Sequence, residues 1–148
     1  MDTYILIGNA NTRKSSVLRS LTGCFNRSVR DIQLQDNRRA VRFYARVGTL
    51  QVTRTTPENF IQEVARARCE AVLLCLAPSA HHTDSTDFPD AQSYVAAFRA
   101  KGWRIKGVAV LGQDGGGVRA PNLRQHVLAP TQPVNLTARD VRAQFGWV

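Results

Sequence analysis

The residues best suited to chemistry lie near the start of the chain, in Gly8-Asn9-Ala10-Asn11-Thr12-Arg13-Lys14-Ser15 and the Ser16 that follows. Gly8, Lys14 and Ser15 meet the pattern G-x-x-x-x-G-K-[ST], and Arg13 stands where that pattern has its second glycine. The chemistry this spacing suits is the holding of a phosphate. Successive backbone N–H groups between Gly8 and Ser16 can converge on one anion, and the start of a helix adds partial positive charge at the same spot. Lys14 would reach the outer phosphates as a point charge, and the Ser15 hydroxyl could ligate a Mg²⁺ bridging the phosphate oxygens. Arg13 complicates the loop. A bulky residue with φ > 0 there costs on the order of 1 kcal/mol, although its guanidinium could itself touch a phosphate.

Two elements must position these groups. Tyr4-Ile5-Leu6-Ile7 reads as an apolar strand entering the loop. Val17, Leu18 and Leu21 make an apolar stripe at helical spacing, with Gly23 as its stop.

The stretch from Gly8 to Gly23 closely resembles the first signature of the Era-like and ferrous-iron-transporter GTPase domains, which runs much like G-N-x-N-x-G-K-S-[ST]-L-x-x-x-L-T-G. Gly8, Asn9, Asn11, Lys14, Ser15, Leu18, Leu21, Thr22 and Gly23 carry the match. The resemblance implies a three-layer α/β fold of the P-loop NTPase, small-GTPase-like type. Its central sheet would be mostly parallel with an antiparallel edge hairpin, and it would bind GTP or ATP with Mg²⁺. The later signatures depart from the family. No threonine occurs from Gly23 to Gly48, where its switch threonine belongs. Its D-x-x-G is matched by Ala45-Arg46-Val47-Gly48, which keeps the glycine and loses the acid. Its guanine-reading N-K-x-D is matched by Leu111-Gly112-Gln113-Asp114, which keeps only the acid. The resemblance therefore implies a nucleotide-binding domain with weak or absent hydrolysis, a switch or scaffold for a protein partner. One alternative is an active ATPase or small-molecule kinase using Asp114, or the loop carrying Asp84 and Asp87, for Mg²⁺. Another is a basic module binding an anion or nucleic acid.

Along the rest of the chain, Asp31–Gln35 and Ala40–Val47 read as a hairpin turning at Asp36-Asn37-Arg38-Arg39. Thr56-Pro57-Glu58 starts a helix striped by Phe60, Ile61, Val64 and Ala65. Ala71–Ala77 is a continuous apolar run suited to a strand buried on both faces. A polar loop with His81, His82, Asp84 and Asp87 follows; imidazole and carboxylate are suitable metal ligands, but adjacent histidines on a loop usually point apart. A helix over Pro89–Lys101, a strand over Ile105–Leu111, a flexible Gly115-Gly116-Gly117 connection and an edge strand near His126–Leu128 come next. A closing helix is capped by Thr137 with Asp140. The loops after Ile7, Val47, Ala77 and Leu111 should then share the carboxyl edge of one sheet, where such folds bind ligands.

Composition sets the outer bounds. The chain has 148 residues, enough for one domain with its own core. A net charge of +9, from 17 arginines and 3 lysines against 11 acids, favours polyanionic partners such as nucleotides, nucleic acid or an acidic protein. Cys24, Cys69 and Cys75 form no C-x-x-C pair and fit a reducing, cytoplasmic setting. No stretch reads as a signal peptide or a membrane span.

Overall fold

The computed structural model describes residues 1–36 and 39–148. Asn37 and Arg38 of the expected hairpin turn lie outside the described residues. Among the described residues six strands and four helices follow in the order β1 (Asp2–Ile7), α1 (Lys14–Thr22), β2 (Arg27–Gln33), β3 (Ala40–Thr49), α2 (Pro57–Ala67), β4 (Ala71–Leu76), α3 (Ala91–Ala100), β5 (Arg104–Leu111), β6 (Leu123–His126) and α4 (Val134–Phe145). The strands form one sheet in the order β2-β3-β4-β1-β5-β6, parallel except for the β2/β3 hairpin.

Side chains alternate across the sheet and divide the core in two. Tyr4 and Leu6 of β1 face α1 and α4, packing with Leu18, Val141, Phe145 and Trp147. Ile5 and Ile7 face α2 and α3, packing with Phe60, Val64, Tyr94 and Phe98. Helices on both faces make the fold a three-layer one. All six residues of β4 are buried because it is central and covered on both sides, as its unbroken apolar run requires. Phe98 stacks on Trp103 at 4.8 Å, and each such buried aromatic stabilises the fold by about 1.5–3 kcal/mol.

Local signals set most boundaries. Thr56 caps α2 by accepting a hydrogen bond from the Asn59 N–H at 3.1 Å. Asp90 caps α3 by accepting one from Ser93 at 3.0 Å. Two expectations need correction. The closing helix begins at Val134, so Thr137 lies inside it, fully buried, and its hydroxyl accepts a hydrogen bond from Gln132 Nε2 at 2.8 Å rather than capping the helix. The edge strand ends at His126, and Val127 and Leu128 belong to the following turn.

The glycine run is not a loose connection either. Gly116 has φ +64°, and a Cβ there would lie 2.6 Å from the Pro78 carbonyl oxygen. The neighbouring Gly117 carbonyl accepts a hydrogen bond from Gln92 Nε2 at 2.7 Å. Close backbone packing, rather than freedom, is what glycine supplies here.

Candidate functional site

The parallel strands β1, β3, β4 and β5 end at one edge of the sheet, which gathers the loops after them. Gly8 leaves β1 with its N–H bonded to the Leu76 carbonyl of β4 at 3.2 Å. The chain then turns tightly. Thr12 donates to the Asn9 carbonyl twice, from its N–H at 3.3 Å and from its hydroxyl at 2.7 Å. This fold-back brings Thr12 so near Gly8 that a Cβ on residue 8 would lie 2.3 Å from the threonine hydroxyl. Glycine at position 8 is thus a steric requirement.

Asn11 and Arg13 both take left-handed backbone, with φ 69° and 66°. Asparagine tolerates this conformation well, and arginine pays the strain expected from its side chain. Arg13 is also the residue before α1, and no side chain caps that helix. Among the described residues the N–H groups of Asn11, Arg13, Lys14, Ser15 and Ser16 have no acceptor in the protein. These donors at the start of α1 are therefore open to solvent or to a ligand.

Lys14 folds into the loop and is only 7% exposed. Its ammonium donates to the Gly8 carbonyl at 2.6 Å and to the Asn9 carbonyl at 3.1 Å. No carboxylate pairs with it among the described residues. Desolvation by burial holds its pKa below the usual lysine value, an effect partly offset by Cys75. Burial likewise pushes the Cys75 thiol up to about 12. That makes Cys75 an inert core residue at neutral pH.

Lys14 and Ser15, with Ala10, Asn11, Arg13, Ser16, Thr49 and Val52, line a depression of about 280 Å³. The Ser15 hydroxyl donates to the Val47 carbonyl at 3.3 Å, which joins α1 to the end of β3 although β4 lies between β3 and β1 in the sheet. The Arg13 guanidinium reaches outward to the Gln132 carbonyl at 3.2 Å.

The acids behave differently. Asp114 is exposed and accepts from the Gly116 N–H at 2.9 Å, closing a local turn outside the depression. Asp84 does the same with the Asp87 N–H at 3.1 Å. His81 and His82 stack at 4.8 Å, contrary to the expectation that they point apart, but His81 Nδ1 is engaged by Thr83 at 2.9 Å. Among the described residues no three histidine, cysteine, aspartate or glutamate side chains converge as a metal-binding group. The groups around the loop therefore fit a Mg²⁺ poorly: the hydroxyls of Ser15, Ser16 and Thr49, with no carboxylate lining the depression beside them.

Sequence reasoning missed three residues that shape this edge. Thr49 stands one position beyond Gly48, just past the interval where the resemblance places a threonine. Arg46 is 6% exposed and turns away from the depression, pairing with Glu63 of α2 at 2.9 Å and donating to the Thr53 and Thr55 hydroxyls at 2.9 Å each. The Tyr44 hydroxyl donates to the same carboxylate. Gln51 is 2% exposed; its amide accepts from Ala77 N–H at 3.0 Å and donates to the Ala77 and Pro89 carbonyls at 2.9 and 3.2 Å. The only signal for either residue is a polar side chain in an otherwise apolar neighbourhood.

The three cysteines are free, and no described helix is long and apolar enough to cross a membrane. Comparisons of the chain with protein-family models, with curated proteins and with solved structures match nothing.

Proposed function

We propose that the loop from Gly8 to Ser16 is a phosphate-binding loop and that the chain is a nucleotide-binding, GTPase-like domain of weak or absent hydrolysis. The observation that carries this reading is that Asn11, Arg13, Lys14, Ser15 and Ser16, whose N–H groups have no acceptor among the described residues, line one depression together, and that no described carboxylate pairs with the buried Lys14. A buried charge without a counter-ion is costly, and an anionic ligand would relieve that cost.

Weak hydrolysis follows from the missing acid. Phosphoryl transfer rests on positioning and charge neutralisation, and Ala45 stands fully buried where the resemblance places an aspartate. A scaffold is favoured over a switch because the segment after β3 is tied down by Gln51 and by the Arg46–Glu63 pair. A working switch needs a segment that exchanges between two arrangements at low cost. The ATPase or kinase alternative would need Asp114, Asp84 or Asp87 in the depression, and none lines it.

The test is a calorimetric and thermal-shift titration with GTP, GDP and ATP beside the Lys14→Ala variant. Ligand at about a hundred times its dissociation constant should stabilise the fold by about 2.7 kcal/mol. The variant should lose that gain, and phosphate release should stay far below about 1 per second. Equal binding by the variant, or Lys14-dependent turnover at that rate, contradicts the proposal.

A further inference from the structure

Along β3 the residues facing α1 are Phe43, Ala45 and Val47, all buried in the apolar core on that side. Beyond a register shift that follows Ala45, Thr49 pairs with Cys75, which belongs to that same face. Its side chain therefore stands on the side of the loop, where the apolar filling gives way to the depression that it lines with Lys14 and Ser15. Thr49 is 8% exposed, yet its hydroxyl has no partner among the described residues. Of the nearby hydroxyls, Ser15 is engaged with Val47, Thr12 with Asn9, and Thr53 with Thr49's own carbonyl at 3.0 Å, whereas that of the exposed Ser16 is open like Thr49's. Most of Thr49 is buried, but its hydroxyl is not sealed, so it stands open to solvent or to a ligand in the depression.

The charge around it is one-sided. Lys14 and Arg13 line the depression, and no acidic residue does. A divalent cation placed there would meet the Lys14 ammonium with no carboxylate to hold it, whereas a phosphate would meet donors on every side.

We propose that this site binds a phosphate group directly, without a divalent cation, and that Thr49 is a ligand-binding residue donating its hydroxyl to a phosphate oxygen opposite Lys14. The inference rests on the phosphate-loop reading above and adds to it a metal-free mode and a residue outside the loop. The ligand class is a phosphate ester or polyphosphate presenting uncomplexed oxygens. Lys14 supplies the charge, the N–H groups from Asn11 to Ser16 supply the cradle, and Thr49 closes it from β3.

Calorimetric titration with pyrophosphate, GDP and ATP, each in EDTA and again in excess MgCl₂, tests this on the wild type and on Thr49→Val, Thr49→Ser and Lys14→Ala. The wild type should bind at least one probe in EDTA, with affinity no tighter in MgCl₂. Thr49→Val should weaken that binding about tenfold or more, the worth of a hydrogen bond to a charged group, while Thr49→Ser restores it. Binding that tightens about tenfold with Mg²⁺, or that survives intact in Thr49→Val, overturns the inference and leaves the phosphate loop standing. Failure of every probe in both media overturns the phosphate loop itself, and this inference with it. Thermal unfolding of Thr49→Val near the wild-type midpoint separates a lost contact from a lost fold; affinity that falls in step with a collapsed midpoint, and is not restored by Thr49→Ser, counts against the hydroxyl.

Discussion

Arg46 of β3 and Glu63 of α2 meet at 2.9 Å through the arginine's Nη1, and the arginine is nearly sealed from solvent with 7% of its side chain exposed. The pair occupies the stretch where a small GTPase resemblance calls for a metal-organising acid and a moving segment. It fastens β3 to α2 instead, while Arg46 Nη2 donates to the Thr53 and Thr55 hydroxyls in the loop between them.

Removing one partner leaves a buried charge alone. Glu63→Ala should cost about 3 kcal/mol in urea denaturation, since the remaining guanidinium has no other carboxylate within reach except through rearrangement. The paired change Arg46→Met with Glu63→Leu should cost markedly less than Glu63→Ala, because no charge is then stranded. A single-variant loss under about 1 kcal/mol would show that the pair does not hold the segment.

Gln51 satisfies three backbone groups with one side chain, joining the loop after β3 to the loop after β4. Gln51→Leu keeps the volume and strands those groups, so it should destabilise by about 3 kcal/mol. Hydrogen exchange should rise first at the amides of Thr53, Arg54 and Thr55, which bond only to carbonyls of Thr49, Gln51 and Leu50 nearby in the chain.

Lys14 makes stability depend on alkali in a predictable direction. Desolvation lowers its pKa in the folded chain below the ordinary 10.5. Between the lowered value and 10.5 the unfolded chain holds a proton that the native chain has released, so stability rises with pH across that interval. The penalty is fully present below the folded pKa and is relieved above it. Urea denaturation of wild type and Lys14→Met at about pH 7 and about pH 10 should show the difference between them moving toward the wild type at the higher pH. A difference that stays level would mean that burial does not weaken proton binding at Lys14.

Arg13 holds a left-handed backbone at φ 66°, and its guanidinium makes one exposed contact with the Gln132 carbonyl. Arg13→Gly removes the strain and restores the usual residue of the loop pattern. It should leave the protein as stable as before or up to about 1 kcal/mol more stable by thermal or chemical denaturation. A loss above that size would mean the Gln132 contact outweighs the strain.

Gly116→Ala should go the other way. Its φ of +64° and the 2.6 Å approach to the Pro78 oxygen leave no room for a methyl group, and a loss of about 2 kcal/mol is expected. The measurement is the denaturation midpoint, and a neutral result would show that this loop yields easily.

The elements themselves were legible in the sequence because each is specified locally. The apolar run of β4 requires burial on both faces, Thr56 and Pro57 announce α2, and the loop from Gly8 to Ser15 follows from residue types that only a tight turn before a helix would use together. The misreadings were local as well: Thr137 resembles a cap in sequence, but Pro133 starts the helix one turn earlier and buries it. What the tertiary structure alone decided is which distant residues share a space. That β4 inserts between β3 and β1, that Arg46 turns from the loop to Glu63, and that Thr49 lines the same depression as Lys14 all depend on strand register and sheet order. Those are set by contacts between segments far apart in the chain, which carry no period of their own for a sequence to display.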